Sequence, residues 1–214
     1  AMATSAEIQA VVEGQTIPSK FVQTAGALSD QVALRWRNDD DSWGEWTFAE
    51  YAERVAAAAG GLKARGVGRG SRVVLMLRNI AEFHVLDMAT YFCGGTAISI
   101  YNSSSPDQIA YLVGHCEAHL GVVEDIGFLE SFLEVRDELP ALQHLGVLRD
   151  PDGLRPDDVF THEDLLAADP VDLAEAATVA QPEDLATLIY TSGTTGPPKG
   201  VVITHQNVAW TIES

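Results

Sequence analysis

Apolar and polar positions in this chain alternate between two rhythms, one suited to strands and one to helices. Residues 32–36 and 45–48 flank the run Asn-Asp-Asp-Asp-Ser-Trp-Gly, which reads as a β-hairpin closed by a solvated turn. Thr47 and Glu50 then carry the spacing of a capping box. Phe48, Tyr51, Val55 and Leu62 recur on one face behind it, predicting a helix. That helix stops in Gly66-Val67-Gly68-Arg69-Gly70, where glycines supply the chain reversal. Residues 73–77 are continuously apolar, as a strand buried on both faces must be. A helix over 82–92 and a strand over 96–100 follow. Ser105, Pro106 and Gln108 place an N-cap, a first-turn proline and a capping-box partner ahead of a helix whose apolar face is Ile109, Leu112, Val113 and Cys116. A strand over 120–123, a helix from about 127 to 137 and a strand over 145–148 complete the series.

Strand–helix–strand units in this order predict an α/β fold, a mostly parallel sheet with covering helices, preceded by the hairpin. Residues 150–184 shift toward Asp, Pro and Ala and read as a surface excursion with a short helix near 162–166. They deliver the chain to a strand over 186–190, a glycine-rich loop and a second strand over 201–204.

Composition narrows the function. The chain has 214 residues and a formal net charge of −18, a field that repels nucleic acid and anionic lipid. Two cysteines, Cys93 and Cys116, both in apolar surroundings, read as buried reduced thiols of a cytoplasmic protein. The apolar stretch 83–101 is broken by His84, Asp87 and Gly94-Gly95, so it is no transmembrane segment. The order Ala1-Met2 reads as a tag-cleavage scar, and residues 1–19 as that scar plus an N-terminal arm ahead of a partial domain over 20–214.

The densest chemistry lies in "LIYTSGTTGPPKGVVITH", residues 188–205. Small residues and glycines let backbone N–H groups turn inward as a nest for anions. Thr191, Ser192, Thr194 and Thr195 add hydroxyls, and Lys199 adds positive charge, the donors a polyphosphate needs. A plain chain reversal needs far fewer such residues. The Walker pattern is excluded, because Lys199 is followed by Gly200 and then a strand, not by Ser or Thr and a helix. Gly-x-Ser-x-Gly is also absent, so Ser192 is no hydrolase nucleophile. The glycines at 66–70 precede a strand instead of following one, which excludes the dinucleotide fingerprint.

"LIYTSGTTGPPKG" resembles the signature of the adenylate-forming, AMP-binding superfamily, which includes acyl- and aryl-CoA synthetases, luciferases and peptide-synthetase adenylation domains. "WTFAEYAERVAAAAGGLKARGVGRGSRVVLMLRNIAEFHVLDMATYFCGGTAISI" looks like the family's N-terminal region. "IYNSSSPDQIAYLVGHCEAHLGVVED" is most similar to the long-chain fatty acyl-CoA synthetase branch. The resemblance implies a fatty acid–CoA ligase that joins a carboxylate to MgATP, giving an acyl-adenylate, and then passes the acyl group to coenzyme A. It places Thr191, Ser192, Gly193, Thr194, Thr195, Gly196 and Lys199 around the β- and γ-phosphates of ATP, with Thr191 also near the magnesium. The family's later motifs are not in these 214 residues, so the expectation is an N-terminal fragment, inactive alone and without catalytic residues of its own. The alternatives are a non-catalytic split-gene module that binds a nucleotide or a partner, and, within the family, an aryl- or medium-chain ligase or an adenylation domain.

Minor features complete the expectations. His115, Cys116 and His119 have some of the makings of a zinc site but lack a fourth ligand. His84 and Asp87, three apart, suit a local hydrogen bond. Asp39, Asp40 and Asp41 lack calcium-loop spacing. His205 begins the last helix in a packing or capping role. An exposed sheet edge offers a route to a homo-oligomer.

Overall fold

The computed structural model describes residues 5–38, 40–191 and 198–214. Strands β1 (Val32–Arg37) and β2 (Trp43–Thr47) form the expected antiparallel hairpin. Helix α3 (Phe48–Ala64) opens on it through the Thr47–Glu50 capping box, in which Glu50 N–H donates to the Thr47 hydroxyl and Thr47 N–H to the Glu50 carboxylate. It ends at Gly66, whose φ of 82° a side chain would resist. The core of the fold then alternates as expected: β3 (Arg72–Met76), α4 (Ala81–Phe92), β4 (Thr96–Ser99), α5 (Pro106–His115), β5 (Leu120–Asp125), α6 (Ile126–Glu134) and β6 (His144–Arg149). A 3-10 turn at Arg136–Glu138 takes the place of the last turn expected for α6.

Seven strands make one sheet in the order β7-β6-β5-β3-β4-β8-β9, where β7 is Phe160–Thr161, β8 Leu185–Thr191 and β9 Lys199–Thr204. Every pair is parallel except β8–β9. Period-two alternation along β3 sends its side chains to two cores. Val73, Leu75 and Leu77 meet α3 and α4, whereas Val74 and Met76 meet α5 and α6. Burial on both faces is why β3 reads as an unbroken apolar run.

Three features add to the sequence expectations. The N-terminal arm contains two helices, α1 (Ser5–Val12) and α2 (Ile17–Ala27). Thr16 and Ser19 cap α2, and Ile8 and Val12 pack on Ala209 of α9 (His205–Glu213). Residues 150–184 also do more than cross the surface. Besides the short helix expected there, α7 (His162–Leu166), they supply β7 at the sheet edge and a second short helix, α8 (Leu173–Ala176), and they bury Val159 and Leu165 completely. Gly60 and Gly61 of α3 make this possible. A Cβ on either would strike a backbone carbonyl oxygen, that of Asp169 or of Leu165. Finally, the sheet edge beyond β8 is an antiparallel strand, β9, with Val201 and Val202 exposed. Among the described residues no helix is long and apolar enough to cross a membrane.

Candidate functional site

β8 runs parallel to β4, so its carboxyl end emerges beside the carboxyl ends of the central strands. Open α/β sheets place ligands at that edge. β9 returns antiparallel, and Thr191 pairs with Lys199 across the ribbon. The two ends of the sequence-dense loop are thereby neighbours, both exposed at the same edge. Ser192, Gly193, Thr194, Thr195 and Gly196 lie outside the described residues. Of the candidate site residues, Thr191 and Lys199 are the two the structure places, and it brings them together.

A cleft of about 530 Å³ opens against this ribbon, lined among others by Tyr101, Ser103, Asp107, Tyr111, Thr191 and Pro198. Its far wall is the amino end of α5. The Ser105–Gln108 capping box and Pro106 fix that end, and burial of Ile109, Leu112 and Val113 seats the helix on the sheet. Two α5 side chains one turn apart reach the ribbon. The Tyr111 hydroxyl donates to the Pro198 carbonyl oxygen at 2.9 Å. His115 Nδ1 and the Tyr190 hydroxyl are hydrogen-bonded at 2.9 Å. The Tyr111 and His115 rings stack with centroids 5.6 Å apart. Burial pushes the Tyr190 phenol up to about 12, so it stays neutral. Sequence reasoning missed this contact because it joins residues 75 and 87 positions apart. The one available signal was a Tyr and a His four apart on α5.

The metal-like trio is dispersed into other contacts. His115 faces Tyr190, the Cys116 thiol donates to the Val113 carbonyl, and His119 Nε2 lies 2.9 Å from the Arg65 carbonyl oxygen. Among the described residues no group of three or more His, Cys, Asp or Glu side chains could hold a metal ion. Burial pushes the Cys93 thiol up to about 12 and that of Cys116 to about 11, which leaves both protonated and unreactive. Asp87 takes its hydrogen bond from the Tyr91 hydroxyl at 3.1 Å, not from His84, and burial raises its carboxyl to about 6. In the hairpin turn, Asp40 accepts from Ser42 and Asp41 pairs with Arg37; Asp39 lies outside the described residues.

A second polar cluster at the same sheet edge escaped the sequence reading altogether. Glu124, on β5, is 2% exposed. It accepts from the Arg78 backbone N–H at 2.7 Å and from the guanidiniums of Arg78 and Arg149, each at 3.1 Å. Neighbouring Asp125 caps α6 and binds Arg78 at 2.6 Å. The cluster joins the carboxyl ends of β3, β5 and β6.

An open α/β sheet that presents a hydroxyl- and glycine-rich hairpin at its carboxyl edge, beside a cleft, is the class of protein these observations define. Residues 21–214 match the family model for the AMP-binding enzyme, and the chain belongs to that family. It is 34% identical over 200 residues to a long-chain-fatty-acid–CoA ligase of Xenopus laevis, covering 92% of this chain and 27% of that protein. It is also 34% identical over 176 residues to a long-chain-fatty-acid–CoA ligase of Mycobacterium bovis, covering 81% of this chain and 29% of that one. The chain thus spans little more than a quarter of the curated relatives it matches. Among solved structures, the acetoacetyl-CoA synthetase of Streptomyces lividans superposes with a TM-score of 0.80 at 25% identity, over 94% of this chain and 32% of that one. An anthranilate CoA ligase in complex with anthranoyl-AMP superposes with a TM-score of 0.79 at 24% identity, over 90% and 35%.

Proposed function

We propose that this chain is the N-terminal, phosphate-holding part of a fatty acid–CoA ligase. The observation that carries the reading is the pairing of Thr191 with Lys199, which closes the family's signature loop at the carboxyl edge of the sheet. In the proposed reaction a carboxylate oxygen attacks the α-phosphorus of ATP. A bond forms between them, and the bond from that phosphorus to the bridging oxygen breaks, releasing pyrophosphate. The thiol sulfur of coenzyme A then attacks the acyl carbon and AMP leaves. Thr191, Ser192, Gly193, Thr194, Thr195, Gly196 and Lys199 serve the first step by donating to the β- and γ-phosphates, which holds the leaving group in line and offsets its charge. Thr191, at the edge of the cleft, offers a hydroxyl oxygen of the kind magnesium, a hard cation, prefers. Magnesium would neutralise phosphate charge there, with Thr191 next to it.

Residues 20–214 form the partial domain in this reading, and the groups that complete the active site belong to the remaining length seen in the relatives. The 214-residue chain therefore holds nucleotide without turning it over. Calorimetric titration of MgATP tests the loop. Removing one charge-assisted donor with Lys199→Ala is expected to weaken binding roughly 10- to 100-fold. ATP–pyrophosphate exchange with fatty acid tests the other half, and clear exchange from this chain alone would overturn the claim of inactivity. Two free, buried cysteines support the reading of a cytoplasmic location.

A further inference from the structure

The ribbon that carries the signature loop outruns the sheet that supports it. β8 meets β4 at Ala97↔Thr187, and β4 ends at Ser99, which is level with Ile189 in that register. Tyr190 and Thr191, with Gly200 and Lys199 opposite, continue as two strands alone. Ile189, Val201 and Val202 are exposed along this stretch, and its apolar support comes from the half-buried Leu188 and Tyr190, which pack on the core from one side. An isolated two-stranded ribbon is marginal in water. Among the described residues, two side-chain hydrogen bonds tie its outer part to the rest of the fold, and both come from α5. Tyr111 holds the returning end at Pro198, and His115 holds the outgoing end at Tyr190. The stacked Tyr111 and His115 rings brace each other, and the His115 ring meets Tyr190 edge-on at 5.7 Å.

We propose that Tyr111 and His115 are positioning residues of the phosphate loop. Together they grip it by its two ends and hold Thr191 and Lys199 in the register that a triphosphate needs. The proposal rests on the reading of the loop as a polyphosphate holder. The geometry favours this role over plain packing, because each side chain uses its polar atom on the ribbon. Tyr111 spends its hydroxyl on a backbone carbonyl directly after the loop, and His115 spends a ring nitrogen on the residue directly before Thr191. Neither contact is needed to seat α5, whose apolar face already does so.

The test uses Tyr111→Phe and His115→Phe, which keep the aromatic stack and remove the hydrogen bonds. Hydrogen–deuterium exchange is followed in the ribbon, 185–204, and in α5 and β3, alongside MgATP titration. Loss of one hydrogen bond is expected to speed ribbon exchange roughly 3- to 10-fold. MgATP affinity falls by a similar factor, the double variant loses more than either single one, and α5 and β3 keep wild-type rates. Unchanged ribbon exchange in the double variant would overturn the proposal. So would exchange that quickens equally in α5 and β3, since that marks general loosening. A wild-type chain that fails to bind MgATP would instead sink the nucleotide reading, while the exchange pattern still decides the grip on the ribbon.

Discussion

His205 makes the protein acid-sensitive through one buried ring. It is 1% exposed at the first position of α9. Its Nδ1 accepts the Ile17 backbone N–H at 3.3 Å, and its ring meets Tyr91 edge-on at 5.5 Å. Protonation would leave a charge in a buried site, aim one N–H at another, and set positive charge at a helix N-terminus, where the macrodipole opposes it. Burial dominates and pushes the group down to about 4, with Asp184 partly opposing. A folded value below the unfolded one means that the unfolded chain binds the extra proton between the two. The contribution is therefore complete above about pH 6.5 and is lost as pH falls toward 4. At pH 5 the linkage relation gives a loss of about 2 kcal/mol relative to pH 7.5. His205→Asn keeps an acceptor near Nδ1 and cannot titrate. Urea unfolding of both proteins across this range reads the effect as a difference of slopes, which cancels other titrating groups. The smaller side chain lowers stability at every pH, but the gap between the two proteins should narrow by about 2 kcal/mol from pH 7.5 to pH 5. Parallel pH profiles would refute the argument.

Other substitutions probe separate joints of the fold. Alanine in a helix interior outranks glycine by about 1 kcal/mol, yet Gly61→Ala should destabilise by roughly 1–3 kcal/mol in urea melts, because its Cβ meets the Leu165 carbonyl oxygen and lies 2.8 Å from the Leu165 Cδ1. Asp87→Asn keeps an acceptor for Tyr91 and removes a charge that burial disfavours, raising the carboxyl to about 6. A raised folded value costs stability that sets in as pH rises from about 4 to 6 and is full above that, so Asn should add up to about 3 kcal/mol at pH 7.5 and little at pH 4, read by denaturant midpoints. Glu124→Leu leaves the Arg78 N–H without its carboxylate and frees two guanidiniums, for an expected loss of about 1–3 kcal/mol measured the same way.

Local signals carried most of what the sequence made legible. The capping boxes at Thr47 and Ser105 need residues three apart, and both form as read. The apolar run of β3 and the Ile109–Leu112–Val113–Cys116 face of α5 likewise depend on short-range periodicity, and all are buried. Helix α2 went unread because its capping box uses Ser19 at the position where the sequence rule looks for Glu or Gln. β7 is two residues long, too short to show a period. The site divides in the same way. Thr191 and Lys199 announce themselves by residue type, whereas Tyr111, His115 and Glu124 gain their roles from partners on other elements. His115 shows the limit well: beside Cys116 and His119 it suggests metal, and in the fold it holds a tyrosine.

The pairing of β8 with β4 also says something about how the molecule assembles. The Thr187 hydroxyl donates to the Ala97 carbonyl across 90 positions of chain, whereas β3 meets β4 after one strand–helix–strand step and β5 after two. Closing so long a loop is entropically slow, so the central strands can form first and the signature ribbon docks onto a finished edge. A segment that docks late on a finished edge is also a candidate for early local opening in the native state. β8 and β9 carry the described ends of the signature segment, so any ligand that binds at that edge stabilises this late docking step directly.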